Sequence, residues 1–209
     1  MTRDFVARPR RLFLLAALAV LAAAWWWRRH PSACPYSQRF WVEAPHPLIT
    51  RGRLHRVLEP QPGERLLEIG PGTGYYTLDL AGWVGPEGAV EILDLQRDML
   101  DHTMRRAGER GISNVVPTQG DATALPYEED SIDGVVLVAV LGEIPDQDGA
   151  MREIARVLKP SGRLIVGEIA GDPHFTSTGA LKRRGRDAGL RLTGRSGPPF
   201  GYFARLVPA

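Results

Sequence analysis

The sequence predicts an α/β fold: a mostly parallel sheet of seven strands with helices on both faces and an antiparallel hairpin at its C-terminal edge. Three observations predict it. Apolar runs of strand length alternate with helix-patterned segments, which gives a parallel sheet with right-handed crossovers. Gly70, Gly72 and Gly74 fall at every second position directly after the first such run, where a strand passes into a helix. The last two runs have only Gly197-Pro198-Pro199 between them, so they pair as neighbours without a crossover.

Leu48 to Leu58 reads as a short helix with Leu54, Val57 and Leu58 on one face, stopped by Pro60 and Pro62-Gly63. Arg65 to Ile69 is the first strand. A helix from Tyr75 to Val84 follows the glycines, and Gly85-Pro86-Glu87-Gly88 turns the chain back. Ala89 to Leu93 is the second strand, followed by a helix from Arg97 to Arg110 that Gly111 ends. Val115 to Thr118 is the third. Ile132 to Val140 is the most continuous apolar run beyond the N-terminal segment and fits a central strand covered on both faces. Ala150 to Leu158 sets Met151, Ile154, Ala155 and Leu158 on one helical face, and Lys159-Pro160-Ser161-Gly162 ends it. Arg163 to Ile169 is the fifth strand. A helix near Thr178 to Ala188 precedes the final strands, Leu190 to Thr193 and Tyr202 to Val207.

The 209 residues suffice for one domain with a short extension. A hydrophobic content of 44% and a charged content of 24% are ordinary for a globular chain. The net charge of +2 is too small to point to nucleic acid, and no nucleic-acid partner is expected. Cys34 is the only cysteine, which excludes an intrachain disulfide and a Cys-based zinc centre; no metal site is expected.

Three segments divide the chain: an N-terminal membrane segment over 1–30, a linker over 31–47 and a catalytic domain over 48–209. Leu12 to Trp27 carries no charge, with Arg8, Arg10 and Arg11 before it and Arg28 and Arg29 after. At ~1.5 Å per residue it covers about 24 Å, slightly under a ~30 Å hydrocarbon core. Trp25, Trp26 and Trp27 suit an interfacial belt. A preceding hydrophobic helix retained as a single-pass anchor is the favoured reading, beside a cleaved signal peptide and an interfacial helix. The linker, with Pro35, Tyr36, Phe40, Trp41 and Pro45, is either a tether on the domain surface or a lid over the substrate side.

Leu66-Leu67-Glu68-Ile69-Gly70-Pro71-Gly72-Thr73-Gly74-Tyr75 carries the most chemistry. Glycines at a strand end let backbone N–H groups approach a ligand closely. A dinucleotide loop needs its third glycine at position 75, and Tyr75 stands there. An acid followed by Gly-x-Gly-x-Gly resembles motif I of the class I S-adenosyl-L-methionine-dependent methyltransferases, a Rossmann-like fold. Two further elements extend the resemblance: Asp94-Leu95 at the end of the second strand, and Gly120-Asp121-Ala122 with Leu125-Pro126-Tyr127 after the third. Tyr127 stands where the family carries Phe.

The resemblance implies S-adenosyl-L-methionine as cofactor. It implies that Glu68 faces the methionine amino group beside Gly70, Gly72, Thr73 and Gly74. Asp94, with Leu95 beside it, accepts from both ribose hydroxyls. Asp121 accepts from the adenine amino group, and the Ala122 N–H meets a ring nitrogen. Glu153-Ile154-Ala155-Arg156-Val157-Leu158-Lys159-Pro160-Ser161-Gly162-Arg163-Leu164 resembles a segment of the small-molecule and quinone-type members. That implies methyl transfer to a small lipophilic acceptor, and the anchor would hold the enzyme at the membrane with its catalytic domain in the cytoplasm, where the cofactor is made. Glu143 and His174, in loops after the fourth and fifth strands, are the candidate catalytic bases. Alternatives are a non-catalytic anchored cofactor-binding protein and a nicotinamide oxidoreductase; Tyr75 and Asp121 argue against the latter.

Overall fold

Thr50 begins the first helix, its side-chain oxygen accepting the Arg53 N–H. This helix, α1, runs Arg51–Leu58 and ends where Glu59 turns left-handed at φ 52°. The computed structural model describes residues 31–40 and 46–209 and the single positions 15, 18 and 26. Seven strands follow in one sheet: β1 Arg65–Ile69, β2 Ala89–Asp94, β3 Val115–Gln119, β4 Ile132–Val138, β5 Leu158–Ile169, β6 Leu190–Ser196 and β7 Gly201–Pro208. Their order is β3-β2-β1-β4-β5-β7-β6. Only β7 opposes the others, antiparallel to both β5 and β6. The order reverses between β1 and β4, which makes the carboxyl ends of those strands the switch point where such sheets bind ligands.

Helices α2 Thr77–Val84, α3 Arg97–Glu109, α4 Gln147–Val157 and α5 Thr178–Asp187 connect the strands. Strand side chains alternate between two cores. Leu67, Val135, Leu137, Leu164 and Val166 pack with Met151 and Ile154 of α4. Leu66, Val90, Ile92, Val136 and Ile165 pack on the opposite face with Leu54, Leu80 and Leu100. Arg163, 5% exposed, ties α1 to the sheet: it donates to the Leu58 carbonyl at 2.7 Å and to both Glu64 carboxylate oxygens at 2.6 Å.

The expected elements are present with shifted ends. The helix after the glycines starts at Thr77, two residues late, because the preceding loop holds the chain in turns. The fourth strand stops at Val138, since Ala139 adopts φ 55° and redirects the chain. Leu158, expected to close the helix, and residues 159–162, expected to end it in a turn, are extended and join β5, with the ladder interrupted until Arg163 pairs with Gly134. The C-terminal hairpin is antiparallel as expected, but β7 sits inside and β6 forms the edge.

One expectation is corrected. The single-pass anchor was placed over 1–30, which lies almost wholly outside the described residues. Among the described residues no helix is long and apolar enough to cross a membrane, so the anchored localisation and the membrane partner are not carried forward.

Candidate functional site

The site forms where β1, β2, β3 and β4 end side by side. Gly70, Gly72 and Gly74 all take positive φ, at 66°, 56° and 77°. A Cβ on Gly70 would lie 2.5 Å from Val140 Cγ2, and one on Gly74 2.8 Å from Thr103 Cγ2, so these turns admit only glycine. The loop is held from behind by α3: Thr103 Oγ1 donates to the Gly72 carbonyl at 3.0 Å and Arg106 to the Thr73 carbonyl at 2.6 Å. Thr73 Oγ1 is buried and has no partner.

Glu68, 2% exposed, receives the Thr77 hydroxyl at the start of α2, and burial pushes its carboxyl up to about 7. Asp94, 8% exposed, accepts the Gln96 N–H at 2.8 Å; burial raises it and the backbone N–H groups of Gln96, Gly72 and Leu95 counter the rise. Leu95 beside it is exposed, an apolar side chain at the mouth of the site. Asp121 spends Oδ1 on the Thr123 N–H and hydroxyl, both at 2.8 Å, in a turn that leaves Oδ2 for another donor. The Gly120 N–H donates to the Asp94 carbonyl at 3.1 Å, which ties the Asp121 turn to the end of β2. Ala122 is buried beneath it.

A second group of acids lies beyond β4 and β5. Glu143 occupies a short 3₁₀ turn at Leu141–Glu143, and burial, with Asp172 and Asp94 nearby, pushes its carboxyl up to about 8. Glu168 ends β5 with 1% exposure; burial, with Asp172 and Glu143, likewise pushes it to about 8. Asp172 is raised by burial and accepts the His174 N–H at 2.7 Å. The His174 side chain is buried, its Nδ1 3.9 Å from Asp172 Oδ1, too far for a hydrogen bond. Gly142 lets the two loops meet: a Cβ there would lie 1.8 Å from the His174 carbonyl oxygen.

The structure also gives the linker contacts that the sequence did not predict. The Cys34 N–H donates to Glu143 at 3.2 Å. Gln96 grips the same segment twice, accepting the Tyr36 N–H at 3.0 Å and donating to the Cys34 carbonyl at 2.9 Å. Cys34–Tyr36 thus bridges the β2 end to the β4 loop, a strap across the site. No local sequence pattern marks such a long-range contact. Glu168 had a signal: like Glu68, it is an acid closing an apolar strand.

The residues present suit S-adenosyl-L-methionine. Carboxyls around the rim would suit a ligand that carries a sulfonium and an ammonium charge. The glycine loop admits close approach, and the unpartnered Thr73 hydroxyl awaits a polar atom.

The raised acids make stability depend on pH. Glu68, Glu143 and Glu168 hold protons in the folded state that an unfolded chain, with carboxyls near 4.5, has already released. The unfolded state therefore binds fewer protons between about pH 4.5 and 8, and stability falls as pH rises through that window. The melting temperature is expected to drop between about pH 5.5 and 8.5; a flat or rising trend would contradict these buried environments.

Comparison with known proteins adds three findings. The family model described as "ubiE/COQ5 methyltransferase family" matches residues 45–178. The ubiquinone/menaquinone biosynthesis C-methyltransferase UbiE of Vibrio parahaemolyticus is 37% identical over 131 residues, 58% of this chain and 51% of that protein. The demethylmenaquinone methyltransferase of Bacillus cytotoxicus is 34% identical over 110 residues, 53% of this chain and 46% of that protein. The chain thus spans about half the length of the curated relatives it matches. Among solved structures, a SAM-dependent methyltransferase from Aquifex aeolicus superposes with TM-score 0.76 at 19% identity, covering 83% of this chain and 98% of that one. The [4+2]-cyclase SpnF gives TM-score 0.67 at 21% identity, covering 76% and 80%. At such identities the structural likeness speaks for the fold alone.

Proposed function

The chain belongs to the ubiE/COQ5 methyltransferase family, and on that premise we propose that it transfers the methyl group of S-adenosyl-L-methionine to a ring carbon of a small, lipophilic, hydroxylated aromatic of the quinone type. One observation carries the reading: Glu68, Asp94 and Asp121 stand at or just beyond the ends of three adjacent strands around a loop whose Gly70 and Gly74 admit no Cβ without collision. The cofactor, when bound, supplies an electrophilic methyl group. The residues of this chain bind, orient and manage a proton. Glu68 with Thr73 faces the amino-acid end, Asp94 the ribose and Asp121 the adenine. Glu143 sits on the acceptor side; with its carboxyl pushed up to about 8, the ionised form that takes a proton from an acceptor hydroxyl grows as pH rises toward 8. His174 is held behind Asp172 and supports that loop.

The test is incubation of the full chain with methyl-labelled cofactor and a hydroquinone lacking one ring methyl, with the product identified by mass spectrometry. A labelled C-methylated product is expected. Cofactor binding without any labelled acceptor would instead leave a non-catalytic cofactor-binding protein.

A further inference from the structure

Glu168 is the one buried acid of the acceptor side that the reaction has not used. Its Oε2 accepts the Thr176 N–H at 2.9 Å. Its Oε1 is buried without a hydrogen-bond partner. A carboxylate oxygen left so is costly, and the cost falls when the group carries a proton. Because Oε2 is the accepting oxygen, the proton belongs on Oε1, which then offers an O–H with nothing to receive it. The groups facing it are Asp172 from the loop after β5, Glu143 from the loop after β4 and Tyr202 from β7. The Tyr202 hydroxyl is engaged elsewhere, donating to the Thr176 carbonyl at 2.6 Å. The Gly142–His174 approach holds the Glu143 loop against this corner.

We propose that Glu168 is a catalytic hydrogen-bond donor, its neutral carboxylic acid binding a phenolic oxygen of the acceptor while Glu143 faces the acceptor's proton. The proposal rests on reading this corner as the acceptor site. A neutral acid held in an apolar setting stabilises the negative charge that gathers on a phenolic oxygen as the ring becomes nucleophilic. In the transfer, the ring carbon–methyl bond would form as the sulfur–methyl bond breaks to leave a thioether; the displaced ring proton returns to the phenolic oxygen, and the hydroxyl proton taken by Glu143 is the one released to solvent.

Two variants separate donor from filler. Glu168→Gln keeps an acceptor for Thr176 and a donor that does not ionise; Glu168→Leu keeps only bulk. The readout is calorimetric titration of the full chain with 4-ethylphenol, which stays neutral below about pH 10. Wild type is expected to bind at about pH 6 and to lose ~10-fold or more in affinity by about pH 9.5, as the donor ionises. Glu168→Gln is expected to hold or gain affinity across that range, since Glu143 becomes a better acceptor as pH rises. Glu168→Leu is expected to bind ~10-fold or more weakly at about pH 6 and to stay folded, with a melting temperature lowered by the unpaired Thr176 N–H. Absence of phenol binding by wild type, phenol binding by the Leu variant equal to wild type, or the same alkaline loss in the Gln variant each overturns the proposal. If phenol binding follows this pattern and no methyl product forms, only the activity reading fails; if methyl product forms and residue 168 has no influence, only this one does.

Discussion

Asp94→Ala is expected to weaken binding of S-adenosyl-L-methionine by about 10²-fold or more while the chain keeps its fold. A carboxylate receiving two hydroxyl hydrogen bonds contributes about 1.5–3 kcal/mol for each, and every ~1.4 kcal/mol is tenfold in affinity. The carboxyl is 8% exposed and already takes the N–H groups that shape the loop, so its second oxygen is presented in a fixed direction. Asp94→Asn, which preserves an acceptor for Gln96 but not the charge, is expected to lose less. Calorimetric titration of the three proteins measures this. If Asp94→Ala takes up cofactor with wild-type affinity, the acid merely pins its loop.

Arg163→Ala is expected to cost about 3–5 kcal/mol of stability, the penalty for leaving a buried ion-pair partner alone. The guanidinium is 5% exposed and satisfies both oxygens of Glu64, the Leu58 carbonyl and, at 3.1 Å, the Asp133 carbonyl. Its removal strands Glu64 and frees the end of α1 from the sheet. For a chain of this size that corresponds to a melting temperature lower by roughly 6–20 °C. The double variant Arg163→Met with Glu64→Leu is expected to recover part of the loss, because the pair's main cost is its own desolvation. Thermal melts of the single and double variants provide the check; a single variant that melts with wild type would mean that water replaces the bridge.

The arginine bridge and the partners that hold the strap could not be read along the chain, though the linker itself reads as a tether or a lid, and the reason is the same for both. Periodicity reports which face of a strand or helix is buried, so Ile132–Val138 and Gln147–Val157 were legible to within a few residues. Glu68 and Asp94 stand at the ends of β1 and β2, and Asp121 follows Gly120 beyond β3, so strand ends and glycines marked all three along the chain. Hydrogen bonds such as Gln96 to Cys34, 62 residues apart, or Glu143 to Cys34, 109 apart, leave no local trace. Asp121 was found by its neighbours, yet only the folded turn reveals that Thr123 occupies one of its oxygens.

The amino-acid order by itself determined the alternation of strands and helices, the glycine turn after β1, and the acids at the neighbouring strand ends. These depend on steric and polar preferences that act within a few residues. Tertiary structure alone decided that β7 lies inside β6, that Glu143, Glu168 and Asp172 share one corner, and that their carboxyls are driven upward. Burial and mutual repulsion depend on which groups the fold brings together, and that is a property of the packed sheet rather than of any stretch of sequence.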